Sequence, residues 1–260
     1  MTPWHPAGAA GKPLVIAHRG ASSAFTENTE AAFSGARRLG ADGIELDIRQ
    51  CQSGQLVVFH DPDLERLAHR PGIIAKLPLS ALRDVQVGGD RILTLDDAIE
   101  VIGPDMAIDI EIKSDRLGSA SRAALRLAEI LARHGEDCCG RVVVSSFDPS
   151  ALVVFRLGAR GSGIAVATAL LFHGDQALPL SRGWAARVLR PAAVAPHHTL
   201  VGANTLTRWR QAGRAVWTWT VDDPARISAL AAAGVDAIIT NDPETALRIV
   251  RRDGRAAGRS

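Results

Sequence analysis

A single closed (β/α)8 barrel is the fold class that this sequence predicts, and three observations predict it. Short apolar runs alternate with longer amphipathic stretches along the chain, the rhythm of βα units. The length of 260 residues matches the about 250 that one such barrel takes. Histidines and carboxylates fall at the ends of the extended runs, where a barrel of this kind builds its site. An open doubly wound sheet is the runner-up, but no Gly-rich dinucleotide turn follows the first run.

The elements follow in order. Leu14–His18 reads as a buried strand, and Asn28–Leu39 as a helix ended by Gly40. Gly43–Ile48 and Gln55–His60 are extended runs parted by the turn at Gln52-Ser53-Gly54, the second an arm of the second βα unit. Pro62 to Arg91 does not fit a simple unit and reads as an insertion within one domain spanning 1–260. A helix at Leu95–Ile102 restores the rhythm. Further strands are expected at Met106–Ile112, Arg141–Ser145, Gly163–Thr168, Ala192–Ala195, Ala215–Thr220 and Asp236–Thr240. Ser121–His134, Pro224–Ala233 and Pro243–Arg251 are the clearest remaining helices, with an arginine-rich solvated tail after Val250.

Composition narrows the function classes. A formal net charge of +2 gives no argument for nucleic acid or an anionic membrane as partner. Lysine occurs only at Lys12, Lys76 and Lys113 among 30 basic residues, a compositional bias toward arginine. Cys51, Cys138 and Cys139 form neither a metal-ligand spacing nor a disulfide framework and read as reduced thiols. The start, Met1 to Pro13, lacks a basic segment followed by an apolar one, and no apolar run approaches the ~18 residues of a membrane span. A soluble cytoplasmic protein without stable membrane insertion is the expectation; the oligomeric state is not legible.

The strand ends carry the chemistry. His18-Arg19-Gly20 ends the first run, Glu45-Leu46-Asp47 the second, His60-Asp61 its arm and Glu111-Ile112-Lys113 the third. Side chains two apart on a strand share a face, so Glu45 projects with Asp47, and Glu111 with Lys113, Asp109 lying one step deeper. Buried charges are costly unless paired or bound to metal. Glu45, Asp47 and Glu111 together make an oxygen-only site suited to Mg²⁺ or Ca²⁺; pairing with Arg19 or Lys113 in a structural network is the alternative. His18 and His60, beside those carboxylates, are natural acid and base partners. Arg19 offers a planar fork for phosphate and Lys113 a point charge. Phe147 and Trp219 offer an apolar wall. Asn28 is placed to cap the first helix and Glu27 to reach the site, a structural role being the alternative for both; His197-His198 follow the sixth strand and read as structural or exposed, with a place for one of them at the pocket as the alternative.

Taken in order, His18-Arg19-Gly20, Glu27-Asn28-Thr29, Glu45-Leu46-Asp47, His60-Asp61 and Glu111-Ile112-Lys113 resemble the signature of glycerophosphodiester phosphodiesterases. The resemblance continues at Ser146-Phe147, Trp219-Thr220-Val221-Asp222 and Thr240-Asn241-Asp242-Pro243, and so spans almost the whole chain. It implies a barrel with a small insertion at about 62–91, a divalent cation on Glu45, Asp47 and Glu111, catalytic histidines at His18 and His60, and Trp219 at the pocket rim. The activity it implies is hydrolysis of a small-molecule glycerophosphodiester to glycerol 3-phosphate and an alcohol. Two rivals share the frame: a lysophospholipase D-like lipid phosphodiesterase, which calls for an apolar rim, and a non-catalytic phosphate-binding barrel, which calls for a lost histidine or carboxylate.

Overall fold

The computed structural model describes residues 11–176 and 180–256. His5 and most of the Pro-, Gly- and Ala-rich start lie outside them. Eight parallel strands form the wall: β1 (Leu14–His18), β2 (Gly43–Gln50), β3 (Ala107–Ile112), β4 (Val142–Ser146), β5 (Ala167–Phe172), β6 (Ala193–Pro196), β7 (Ala215–Thr218) and β8 (Ala237–Thr240). Each pairs with the next, and β1 pairs with both β8 and β2, which closes the barrel. Outside run α1 (Glu30–Leu39), α2 (Leu95–Ile102), α3 (Ser121–Cys139), α4 (Pro149–Gly161), α5 (Ala185–Leu189), α6 (Ala203–Gln211), α7 (Pro224–Ala233) and α8 (Pro243–Ala256).

The apolar alternation of the strands divides the core. Ile44, Leu46 and Ile48 of β2 and Ile108, Ile110 and Ile112 of β3 face the helix layer. Inside the barrel sit Ile16, Val143, Leu171, Trp217, Ile239 and the small residues Ala169, Ala193, Ala195, Ala215 and Ala237. Four adjacent strands lined with alanine leave room for one buried indole, consistent with dense packing.

Several expected boundaries move for identifiable reasons. α1 starts at Glu30, because the Thr29 hydroxyl, and not Asn28, accepts from the Ala32 amide. β5 runs from Ala167 to Phe172 rather than from Gly163 to Thr168. The amide of Ile164 instead closes the end of α4 on the Ala159 carbonyl, and pairing with β4 begins only at Val143 and Ala167. α3 extends to Cys139 through a kink at Gly135, whose φ is 82°. β7 stops at Thr218, and the expected tail after Val250 is helical to Ala256. The arm of β2 narrows to Leu56–Val58, which pairs antiparallel with β2. The three cysteines are free and buried.

Residues 62–91 pack as a separate lobe above the β2 end. Short helices at Glu65–Ala68 and Leu79–Arg83 and a hairpin of Gln86–Val87 with Asp90–Arg91 enclose Leu64, Ile74, Leu82, Val85 and Val87 with Phe59 of the arm. One glycine positions the mouth. Gly20 has φ 84°, and a Cβ there would lie 2.6 Å from the Ala32 carbonyl carbon, so only glycine lets the chain leave β1 across α1.

Candidate active site

Strand register assembles the site. His18 lies beside Glu45, Glu45 beside Asp109, and Asp47 beside Glu111 on neighbouring parallel strands. Carboxylate oxygens of Glu45, Asp47 and Glu111, all buried, consequently lie within 4.8 Å of one another. Glu45 and Glu111 face a cavity of about 110 Å³ lined also by His18, Arg19, His60, Lys113, Phe147 and Trp219. The residues picked from the sequence thus converge, with Asp47 fully buried beneath them.

The charges are only partly balanced. Lys113 Nζ lies 2.8 Å from Glu111 Oε1 and 3.4 Å from Asp47 Oδ1. Arg19 Nε lies 3.0 Å from Asp47 Oδ2, and its Nη1 donates to Glu27 Oε1 at 2.9 Å. Burial works against the Asp47 charge, but Lys113 and Arg19 outweigh it and hold that carboxyl down to about 2. Glu45 is pushed well above the ordinary range by burial and then by Asp47 and Glu111. Burial also lifts Glu111, and lifts Asp109 to about 7. Buried oxygens Glu45 Oε1 and Asp47 Oδ1 accept no hydrogen bond. A cluster of hard oxygen donors, short of positive charge and with unsatisfied lone pairs, fits a divalent cation.

Both histidines are oriented by the nitrogen that faces away from the site. Asn241 Nδ2 donates to Asp222 Oδ2 at 2.7 Å, which leaves Asn241 Oδ1 to accept from His18 Nδ1 at 2.7 Å and from Ser22 Oγ at 2.9 Å. His18 Nδ1 therefore carries its proton, and Nε2 lies 3.8 Å from Glu45 Oε2. His60 Nδ1 likewise donates to Asp61 Oδ1 at 2.7 Å. Burial lowers the pKa of both imidazoles, that of His18 to about 4. In each the exchangeable nitrogen is Nε2.

Some of the supporting groups escape sequence reasoning. Asn28, in a left-handed conformation at φ 59°, donates to Asp47 Oδ2 at 2.9 Å. Arg66, from the insertion, donates through Nε to Asp61 at 2.6 Å and through both Nη atoms to Glu27 at 2.7 and 3.0 Å. One guanidinium thereby brackets the partners of His60 and Arg19. Asn241 and Asp222 stand in recognisable motifs, but the contact of Asn241 with His18 spans 223 positions, beyond any local pattern. Trp219 Nε1 donates to the Ala195 carbonyl at 2.8 Å, and its ring meets Phe147 edge to face at 5.1 Å. Trp217 is buried inside the barrel. His197 meets Trp219 edge to face at 5.1 Å, but neither it nor His198 lines the cavity.

A buried carboxylate triad that could hold a metal ion, beside two imidazoles, an arginine and a lysine at the mouth of an α/β barrel, is a site suited to a hydrolase of phosphate esters. The model of the glycerophosphoryl diester phosphodiesterase family matches residues 18–245, and the chain belongs to that family of enzymes. A glycerophosphodiester phosphodiesterase of Caldanaerobacter subterraneus is 33% identical over 253 residues, covering 94% of this chain and 100% of its own. A phosphodiesterase of Oleispira antarctica, solved in complex with the product sn-glycerol-3-phosphate, superposes with a TM-score of 0.81 at 26% identity, covering 92% of this chain and 97% of its own. The glycerophosphodiester phosphodiesterase of Thermotoga maritima gives a TM-score of 0.74 at 26% identity, over 91% and 98% of the two chains.

The Arg66 bracket has a consequence for stability. Burial pushes Glu27 and Asp61 up, but the hydrogen bonds and charge of Arg66, together with Arg19 at Glu27 and His60 at Asp61, outweigh it, and both titrate below the ordinary range. A group depressed in the folded state stabilises above its unfolded pKa and loses that contribution as pH falls through the folded value. Arg66→Ala is expected to cost about 1 kcal/mol at neutral pH, the scale of a partly exposed network. The gap from the parent should close in strong acid. Urea unfolding at both pH values measures it, and a gap of equal size at each would refute the bracket.

Proposed function

We propose that the cavity cleaves a glycerophosphodiester, such as a deacylated phospholipid headgroup, to glycerol 3-phosphate and an alcohol, with His18 and His60 exchanging the protons. The observation that carries this reading is the placement of two imidazoles, each with Nδ1 anchored outward, beside one carboxylate triad in one small cavity. The triad Glu45, Asp47 and Glu111 would hold Mg²⁺ or Ca²⁺, and such an ion, when bound, supplies positive charge against phosphate oxygens. The product complex of the Oleispira relative supports a glycerol phosphate ligand.

The chain's own groups divide the remaining work. Lys113 and Arg19 line the same cavity and offset charge that develops on phosphate oxygens. Phe147 and Trp219 form an apolar wall for the carbon portion of the substrate. Nε2 of one histidine takes the proton of the attacking hydroxyl, and Nε2 of the other protonates the leaving alcohol. The glycerol hydroxyl next to the phosphorylated carbon is the favoured nucleophile, since it is already tethered; its attack expels the alcohol and forms a cyclic phosphate that water then opens.

Chelator-treated protein is expected to lose turnover, and Mg²⁺ or Ca²⁺ to restore it. Glu45→Ala, Asp47→Ala or Glu111→Ala should each weaken cation binding, read by calorimetry. Full turnover after exhaustive metal removal would overturn the assignment.

His18→Ala and His60→Ala should each slow the chemical step by roughly 10²-fold or more, with a smaller change in substrate binding. Single-turnover rates on a panel of glycerophosphodiesters and lysophospholipids separate the steps and the substrate classes. Near-normal chemistry in either variant would remove that histidine from the mechanism.

Substrate carrying the neighbouring hydroxyl as its methyl ether should bind yet turn over at least about tenfold more slowly, because the tethered nucleophile is lost. Near-normal hydrolysis of the ether would make water the nucleophile and leave the site residues unchanged.

A further inference from the structure

The formal net charge of +2 conceals an uneven distribution. Between Asp148 and Asp222 the chain carries eight arginines and a single acidic residue, Asp175. This stretch builds α4, α5 and α6. α4 and α5 lie side by side on the barrel flank, where Arg156 Nη1 donates to the Leu189 carbonyl.

The same flank leaves large apolar side chains in water. Val153 and Leu157, one turn apart on α4, are 41% and 65% exposed. Trp184 and Val188, one turn apart at α5, are 50% and 70% exposed. Leu125 of α3, 46% exposed, borders them: a Cβ on Gly158 of α4 would meet its Cδ2 at 3.2 Å. Exposed Arg156, Arg160, Arg187 and Arg190 frame these residues. Monomeric proteins rarely expose contiguous apolar surface without an interaction to explain it.

We propose that this flank docks on the surface of an anionic lipid bilayer. Guanidinium groups match lipid phosphates, and a tryptophan with aliphatic neighbours inserts at the headgroup–acyl boundary, the combination that interfacial elements use. Among the described residues no helix is long and apolar enough to cross a membrane, so the contact is peripheral. A nucleic acid would engage the arginines but give Leu157 and Val188 no apolar partner. A second copy docked by two-fold symmetry would set arginine against arginine.

Flotation with vesicles of equal parts phosphatidylcholine and phosphatidylglycerol, against phosphatidylcholine alone, tests the proposal. Binding should be at least about tenfold tighter on the anionic vesicles and weaken with added salt. The pair Leu157→Ser/Val188→Ser and the pair Arg160→Glu/Arg187→Glu should each reduce it about tenfold or more. Both pairs should hydrolyse a soluble glycerophosphodiester at the parent rate, which shows that the barrel is folded and separates this test from the assignment of the catalytic site. Equal affinity for both vesicles, or anionic binding that survives either pair, would overturn the proposal. So would a concentration-dependent dimer in lipid-free sedimentation that the same pairs disrupt, or duplex DNA binding at comparable affinity that the serine pair leaves intact.

Discussion

The parallel register of β2 with β3 sets the terms for the rest of the molecule. It puts Asp47 beside Glu111 and Glu45 beside Asp109, and so forces four carboxyl groups into one buried region. Among the described residues Arg19 and Lys113 are the cations placed between them, and Asp47 is the carboxylate that both reach, Arg19 at 3.0 Å and Lys113 at 3.4 Å, although Lys113 lies closer still to Glu111, at 2.8 Å. Asp47 is therefore held ionised, while burial and like charge push Glu45, Glu111 and Asp109 toward the protonated form. This is an arrangement that a purely structural network would avoid, because buried like charges cost more than they return. A divalent cation held by these carboxylates would offset the conflict.

Orientation around that centre comes from outside the barrel wall. His18 is held from β8 through Asn241, itself held by Asp222 of the β7–α7 loop. His60 is held by Asp61, which Arg66 of the insertion ties to Glu27 of the β1–α1 loop. The lobe at residues 62–91 thus does more than cover the mouth. Its own apolar core around Leu64 and Ile74 gives Arg66 a rigid base, and rigidity in the outer contacts keeps both imidazoles aimed inward.

The barrel and the groups that gather at its mouth are legible because both rest on short-range pattern. Period-two alternation in Gly43–Ile48 and Met106–Ile112 by itself puts Glu45 on the face of Asp47, and Glu111 on the face of Lys113. Strand ends located His18, His60 and Lys113 by the same rule, and the ordered motifs carried the family. What was missed is long-range or conformational. The Arg66 bracket joins the insertion to a loop 39 positions away, and nothing in the local sequence records it. Asn28 reads as a helix cap, yet its left-handed backbone turns the amide onto Asp47 and leaves the capping to Thr29. At Gly163–Val166 the apolar run predicted a strand, but Ile164 and Val166 pack against the helix layer while the chain is still leaving α4. The uneven placement of charge was present in the sequence but hidden by its sum.

The two sides of the barrel differ in a way that bears on the chemistry. β1, β2 and β3 bring charged groups to the mouth, whereas β5 to β8 line the interior with alanine, Leu171, Ile239 and Trp217. The charged cluster therefore faces a wall of low polarizability rather than water, and electrostatic interactions across the cavity are screened less than they would be at an open surface. Trp219 and Phe147 carry that wall to the rim, the indole fixed by its bond to Ala195. The same asymmetry that makes the carboxylates costly to bury would also strengthen the pull of Lys113, Arg19 and a bound cation on a phosphate brought between them, as the proposed reaction requires. The small residues of β5 to β8 are thus part of the site: a larger, polar interior on that side would relieve the carboxylates and weaken the field that acts on the substrate.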